Sequence, residues 1–329
     1  MWLSPRILLC ILHASCVPAH ECIVHWKRKG ACCGFSGSIP PEAIARFNKL
    51  EIFSVSESNI GGRIPSELGG LSSLRLISMY NNQLTGPIPS EIGDLMTLRQ
   101  LDMANNMLTG TIPTELNSLP TIARFHATVN RLTGDAPTFP LATETLTFIE
   151  LQHEDDNNNL TLAVDEFFRE GRGRALEIVM CHECNLKGFI PTFIGESVNL
   201  ARLVLTGNSD QIGTGLTGTI PAEIGGLQAL TDLRLSRNSL SQAIPTQLAN
   251  LPMLEGLSLD GNQFTGEMPP EVASMPSLTQ LELHDNPTLT GDLDTSVCNV
   301  DGAAARFSFL SSDCGSSGRV ACTCCDDCF

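Results

Sequence analysis

Charge and aromatic side chains are scarce in this chain of 329 residues: charged residues make up 17% and aromatic residues 5%, with a single Tyr. Basic residues are the scarcer sign, 20 Lys and Arg against 36 Asp and Glu, for a formal net charge of -16. That balance argues against nucleic acid and anionic lipid as partners, both of which are recognised through clustered positive charge. It favours solubility and, secondarily, attraction to basic partners. After the first residues no stretch approaches the ~18 to 20 apolar residues needed to span a bilayer, so no transmembrane segment is expected. Lipidation motifs and a kinase domain are missing as well. No phosphate-cradling glycine loop, Ser/His/Asp order or paired-carboxylate signature stands out. Neither an enzyme nor a cofactor or resident metal is expected.

The chain opens with a short secretory-type segment. Arg6 supplies a basic start, Ile7 to Leu12 a brief apolar core, and Val17-Pro18-Ala19 small residues suited to cleavage. Residues 1–19 are therefore expected to be a signal peptide and the protein to be secreted.

What the chain does have is an internal period. Residues 74–89 read Leu-x-x-Ile-x-Met-x-x-Asn-x-Leu-x-Gly-x-Ile-Pro, and 98–113 repeat the pattern with Leu98, Leu101, Met103, Asn106, Leu108, Gly110, Ile112 and Pro113. Ser58, Asn82, Asn106, Asn130 and Glu154 mark the same position at intervals of 24. Cys184, Asn208, Asn238, Asn262 and Asn286 continue the series, with intervals of 30 at Cys184 and Asn238. Each letter has a physical task. Alternating apolar residues such as Leu233 and Leu235 point one face of a short strand inward. A lone turn cannot bury them, so neighbouring turns must stack. The Asn amide, donor and acceptor at once, can satisfy backbone groups where the chain bends. Gly supplies positive φ, and Pro closes the segment where no ladder donor is needed. The stretch Ser66-Glu67-Leu68-Gly69-Gly70-Leu71 is predicted to be short and helical or 3₁₀.

This consensus, clearest in Leu84-Thr85-Gly86-Pro87-Ile88-Pro89 and Leu216-Thr217-Gly218-Thr219-Ile220-Pro221, resembles the plant-type extracellular leucine-rich-repeat family over residues 33 to 293. The resemblance implies an α/β fold: a right-handed solenoid with a concave parallel β-sheet, a second small sheet, short helical or 3₁₀ convex segments and Cys-rich caps. It also implies the family's roles as receptor ectodomains, receptor-like proteins and secreted polygalacturonase inhibitors. The expected organisation is an N-terminal cap and degenerate repeat at 20–49, repeats at 50–297 and a Cys-rich cap at 298–329.

Two six-residue excesses interrupt the repeat, one within Glu154 to Leu162 and the other Ser209 to Thr214; both are placed just after the Asn position. Tolerated loop variation accounts for them, with a functional rim as the alternative. The Asp155-Asp156 and Asn run lacks the EF-hand spacing of a calcium loop. Asn159-Leu160-Thr161 is the sole N-glycosylation sequon. The 13 cysteines sort by position. Cys22 and Cys32 near the start, and Cys298, Cys314, Cys322, Cys324, Cys325 and Cys328 at the end, are disulfide candidates for the caps. A zinc cluster at the C-terminus is the competing reading, disfavoured by tight spacing and no nearby His. Cys181 and Cys184 fall at inward and Asn positions, which reads as inert core, with an internal disulfide next.

Residues alternating with the core should form the presented face. Arg124, His126, Arg131, Phe148, Glu150, Gln152, His153, His182 and Glu183 make one candidate binding patch over the middle turns, and Arg202, Asp232, Arg234 and Arg237 a second. His126, His153 and His182 fall on consecutive strands, which is compatible with a metal or pH-sensitive site, though a variable recognition surface explains them as well. The expected partner is an extracellular protein, peptide or glycan bound on the concave face and rim. The alternative is a structural wall or matrix solenoid without one ligand.

Overall fold

The computed structural model describes residues 15–17, 21–25, 37–152, 158–207, 215–292, 308–312, 320–321, 325 and 327–328. Contacts divide the chain into two units, Met1–Leu160 and Thr161–Phe329.

In the first unit, strands Glu21–His25, Leu50–Ser54, Leu76–Ser78, Gln100–Asp102, Arg124–His126 and Phe148–Gln152 lie side by side in chain order, all parallel. Ser15–Val17, inside the segment expected to be removed, pairs antiparallel with Glu21–His25 and sets Cys16 opposite Cys22. In the second unit the equivalent strands are Ile178–Cys181, Arg202–Leu205, Asp232–Arg234, Gly256–Ser258, Gln280–Glu282, Phe309–Ser312 and Asp327–Cys328. Short strands such as Gln83–Gly86 and Met107–Thr111, which carry the Leu-x-Gly step, build smaller parallel sheets beside the main one. The Pro that follows leads into a 3₁₀ turn, as at Ser66–Gly70, Ser90–Asp94 and Thr114–Ser118, and Ala222–Gly226 and Thr246–Asn250 repeat it in the second unit. Each unit is thus a leucine-rich-repeat solenoid of stacked turns.

The inward residues do what alternation demands. Ile77, Leu101, Phe125 and Ile149 are fully buried in the first unit, and Leu203, Leu233, Leu257 and Leu281 in the second. Each such side chain contributes on the order of 1.5–3 kcal/mol once a neighbouring turn covers it.

The Asn ladder closes each bend. Asn130 Nδ2 donates to the carbonyls of Met103 (3.0 Å), Ala127 (3.2 Å) and Thr128 (3.1 Å), while its Oδ1 accepts from the Leu108 amide at 3.0 Å. Asn106, Asn238 and Asn262 repeat this pattern across one turn. Here the sequence register needs a correction. Asn158, not Glu154, fills the ladder after Asn130: its Nδ2 reaches the Ala127 and Leu151 carbonyls, both at 2.9 Å, and its Oδ1 accepts from Leu132 N at 2.8 Å. A carboxylate would set negative charge against those carbonyls, whereas an amide both donates and accepts. The extra residues therefore precede the ladder position. Glu154, Asp155 and Asp156 lie outside the described residues, as do Ser209 to Thr214.

A second correction concerns Cys181 and Cys184, which form a disulfide with both residues buried. At the position where other turns use an amide, this turn uses a covalent link. Cys325 is disulfide-bonded too. Cys22 and Cys328 sit in strands, and Cys32, Cys298, Cys314, Cys322 and Cys324 lie outside the described residues.

The residue before the ladder position is left-handed in turn after turn: Asn81 (φ 56), Asn105 (φ 53) and Val129 (φ 52) in the first unit, and Glu183 (φ 54), Arg237 (φ 57) and Asp285 (φ 55) in the second. Asn tolerates this region, but a β-branched residue there is strained. Val129 is 37% exposed, so little burial offsets the strain. Val129→Asn is expected to raise the unfolding free energy by about 1 kcal/mol, read from urea denaturation. An unchanged or lower value would contradict the strain.

Candidate functional site

Strand register sets outward side chains from residues 24 apart next to one another. In the first unit one column runs Ser54, Ser78, Asp102, His126, Glu150 and its neighbour Leu76, Gln100, Arg124, Phe148. His126 is held from both sides, with Nδ1 3.3 Å from Asp102 Oδ1 and Nε2 3.3 Å from Glu150 Oε2. Nε2 is also 2.8 Å from Thr128 Oγ1. The ring meets Phe148 edge-on at 6.0 Å, and the Arg124 guanidinium lies over the Phe148 face at 4.5 Å. That cation–π contact gives a long, exposed side chain a preferred place. Beside this cluster, the Tyr80 hydroxyl donates to the Glu57 carboxylate; that bond, burial and the fields of Glu57 and Asp102 hold the phenol pKa above its ordinary value.

Burial by itself lowers the His126 pKa. The hydrogen bond to Asp102, with the negative fields of Asp102 and Glu150, outweighs both burial and Arg124, so the net shift is upward. A group with a raised folded-state pKa stabilises the fold fully below its unfolded value and loses that contribution as pH rises through the folded one. The melting-temperature difference between the parent and His126→Gln should therefore shrink as pH is raised from below the ordinary 6.5 through the elevated value. A difference that grows with pH would contradict the assignment.

The Asp102–His126–Thr128 chain looks superficially like a hydroxyl-activating relay. Thr128 is only 4% exposed, and Glu150 competes for the same Nε2. The arrangement suits an ordered polar contact surface, not nucleophilic chemistry.

In the second unit Asp232 is clamped between two arginines: Arg202 Nη2 is 3.2 Å from Asp232 Oδ2, and Arg234 Nε 3.0 Å from Oδ1. Arg237 reaches Glu183 at 3.3 Å. Two turns separate this pair, and between them stands Gly207, with no side chain to intervene. His284 faces Asp260 at 3.8 Å and Ser311 at 2.9 Å. Among the described residues no group of three His, Cys, Asp or Glu is arranged to hold a metal ion.

Each of the two sequence-derived patches is brought together in part. Arg124, His126, Phe148 and Glu150 converge in the first unit, while Arg202, Asp232 and Arg234 converge in the second. Gln152 ends the Phe148–Gln152 strand. Arg131 is a correction: it begins the strand Arg131–Asp135 of the smaller sheet, because the left-handed Val129 has already turned the chain off the main face. Glu183 and Arg237 occupy that same left-handed position, at the rim. His182 belongs to the second unit, and His153 lies outside the described residues. Asp102 stood outside both sequence-derived patches. The 24-residue offset to His126 was the available signal.

The Leucine Rich Repeat family model matches residues 73–95, 97–119, 229–251 and 253–275. With the stacked parallel strands and the Asn ladder, this settles the family. The chain is a leucine-rich-repeat protein. Among solved structures it is similar to the plant peptide hormone receptor RGFR1 in complex with RGF2, at 32% identity and a TM-score of 0.68, over 78% of this chain and 39% of that one. It is similar as well to the ectodomain of the receptor kinase GASSHO1/SCHENGEN3 from Arabidopsis thaliana in complex with Casparian strip integrity factor 2, at 34% identity and a TM-score of 0.69, over 80% of this chain and 30% of that one. A plant ice-binding protein matches at 25% identity and a TM-score of 0.58, over 78% of each chain. The chain therefore spans less than half the length of those two receptor chains. No curated protein matches it in sequence. Among its described residues no helix is long and apolar enough to cross a membrane.

Proposed function

We propose that this protein is a secreted recognition module that binds an extracellular partner, foremost a peptide, on the outer face of its main sheet, as a receptor-like protein or inhibitor. The observation carrying this is the Arg124–Phe148–His126 cluster: an aromatic ring with a guanidinium over it and an imidazole fixed by two carboxylates, all on adjacent outward positions. A structural solenoid needs no such ordering of its face, and rigid aromatic and arginine groups are the usual energetic centres of interfaces. The chain is similar to a plant peptide hormone receptor and to a receptor-kinase ectodomain, each solved in complex with a partner, which supports a binding role here. Asn159 is exposed at the start of the strand Asn159–Ala163, not in a loop as its sequon suggested, and is a proposed glycan site on the smaller sheet.

The test compares partners captured from an extracellular fraction by the intact protein and by an Arg124→Ala, Phe148→Ala, Glu150→Ala variant whose melting curve is cooperative. The variant is expected to lose at least one abundant partner that the parent retains. Identical capture by both proteins defeats the reading and leaves the wall or matrix role as the better account.

A further inference from the structure

The second unit carries a group of side chains that the sequence and the first unit's cluster do not explain. Arg202 and Arg234 stand on adjacent strands and share one carboxylate, Asp232. Two guanidinium charges meet one carboxylate charge, so the group keeps one net positive charge. Asp232 occupies only one nitrogen of each arginine, Nη2 of Arg202 and Nε of Arg234, which leaves further N–H donors on both. Both arginines are 41% exposed while Asp232 is 15% exposed, so the carboxylate lies beneath them and holds them in place.

The surroundings give this pair a shape. In register with Arg202 is Ile178, and in register with Arg234 are Val204 and, one strand further, Met180. Val204 alternates outward yet is 1% exposed, and Ile178 and Met180 beside it are half-buried, which gives the arginines apolar neighbours. On the other side, Gly256 is opposite Asp232; a Cβ there would lie 3.2 Å from Asp232 Oδ1 and 3.8 Å from Gln280 Oε1, so no side chain of its own stands between Asp232 and Gln280. Nearby acids are engaged elsewhere: Glu183 with Arg237, Asp260 with Ser236 and His284, and Glu282 with Ser258.

We propose that the Arg202–Asp232–Arg234 group is a binding site for a carboxylate side chain of an extended peptide, with an adjacent apolar residue of that peptide seated on Ile178 and Met180. The arginines would donate paired hydrogen bonds to the incoming carboxylate, the geometry that planar guanidinium groups favour. Asp232 acts as a positioning residue, because it keeps both guanidiniums directed at the same place. This inference rests on the reading of the outer face as peptide-binding.

The test is selection from a library of eight-residue peptides, acetylated and amidated at their ends, on the immobilised full-length protein, followed by sequencing of what is retained. Peptides with Asp or Glu beside an apolar residue should be enriched about tenfold over their Asn and Gln counterparts, the factor corresponding to one additional charge-assisted bond. The Arg202→Gln, Arg234→Gln double variant, with a melting curve matching the parent's, should lose that preference. Retention of peptides without an acidic preference, or a preference that survives in the double variant, overturns this site and leaves the general peptide reading standing. No retention above a blank surface overturns both. A parallel library with free C-termini separates the two sources of carboxylate: enrichment seen only there overturns the side-chain assignment.

Discussion

Replacing Asn130 with alanine is expected to lower the unfolding free energy by about 3 kcal/mol. The estimate follows from what the side chain leaves behind. Three backbone carbonyls, of Met103, Ala127 and Thr128, lose their common donor, and the Leu108 amide loses its acceptor, all in a residue that is 2% exposed. An unsatisfied buried polar group costs on the order of 1–3 kcal/mol, and the groups are close enough that their costs overlap. Asn130→Asp keeps the acceptor, removes the donor and adds charge against three carbonyls, so it should fare no better. Urea denaturation gives both values. A loss below about 1 kcal/mol for the alanine variant would mean that relaxation or water replaces the ladder amide, and that stacking of the leucines alone holds the turn.

The second large effect is at Gly93. This residue lies in the 3₁₀ turn Ser90–Asp94, and a Cβ on it would fall 2.5 Å from the Glu115 carbonyl oxygen and 2.6 Å from its carbon. The obstacle is the backbone of the next 3₁₀ turn, which a side-chain rotation cannot remove. Gly93→Ala is expected to cost about 3 kcal/mol, the upper range for overpacking. Gly70 is the matched control. It ends the preceding 3₁₀ turn, is exposed and has nothing within 4 Å of its would-be Cβ. Gly70→Ala should be neutral or stabilise by up to about 1 kcal/mol through the unfolded chain. Thermal denaturation of the two variants side by side separates steric contact from loss of flexibility; equal effects would refute the close-approach argument.

Gly93 also shows where reading of the sequence gives out. Glycine in the Leu-x-Gly step was assigned a positive φ, and Gly86 (φ 79), Gly110 (φ 81) and Gly134 (φ 83) have it. Even Gln242, which replaces that glycine, takes φ 70. These are local demands of a bend, repeated in each turn, and local demands are visible in a period. Gly69 and Gly93 answer a different demand, contact with a turn 24 residues on, which no local pattern announces. The same limit applied to Glu154. Counting by 24 placed it in the ladder, but the ladder selects a donor-acceptor amide, and Asn158 supplies it.

The candidate site divides the same way. Which residues face outward was legible from alternation: Arg124, His126, Phe148, Glu150, Arg202, Asp232 and Arg234 all do. The two patches were legible too, but the contacts within them were not: the register sets His126 between Glu150 and Asp102, which neither patch included, and sets Arg202 and Arg234 around Asp232. Arg131, two positions beyond the left-handed bend, left the face altogether.

By itself, then, the sequence determined the period, the buried leucines, the ladder amides, the 3₁₀ turns and the family, because each of these is a local requirement stated again in every turn. The tertiary structure alone decided that Cys181 and Cys184 are joined, that Gly93 must remain without a side chain, and which charges share a neighbour. The disulfide joins residues only 3 apart, but the other two outcomes depend on groups that stacking brings to strand spacing, about 4.8 Å, across 22 to 30 residues of chain.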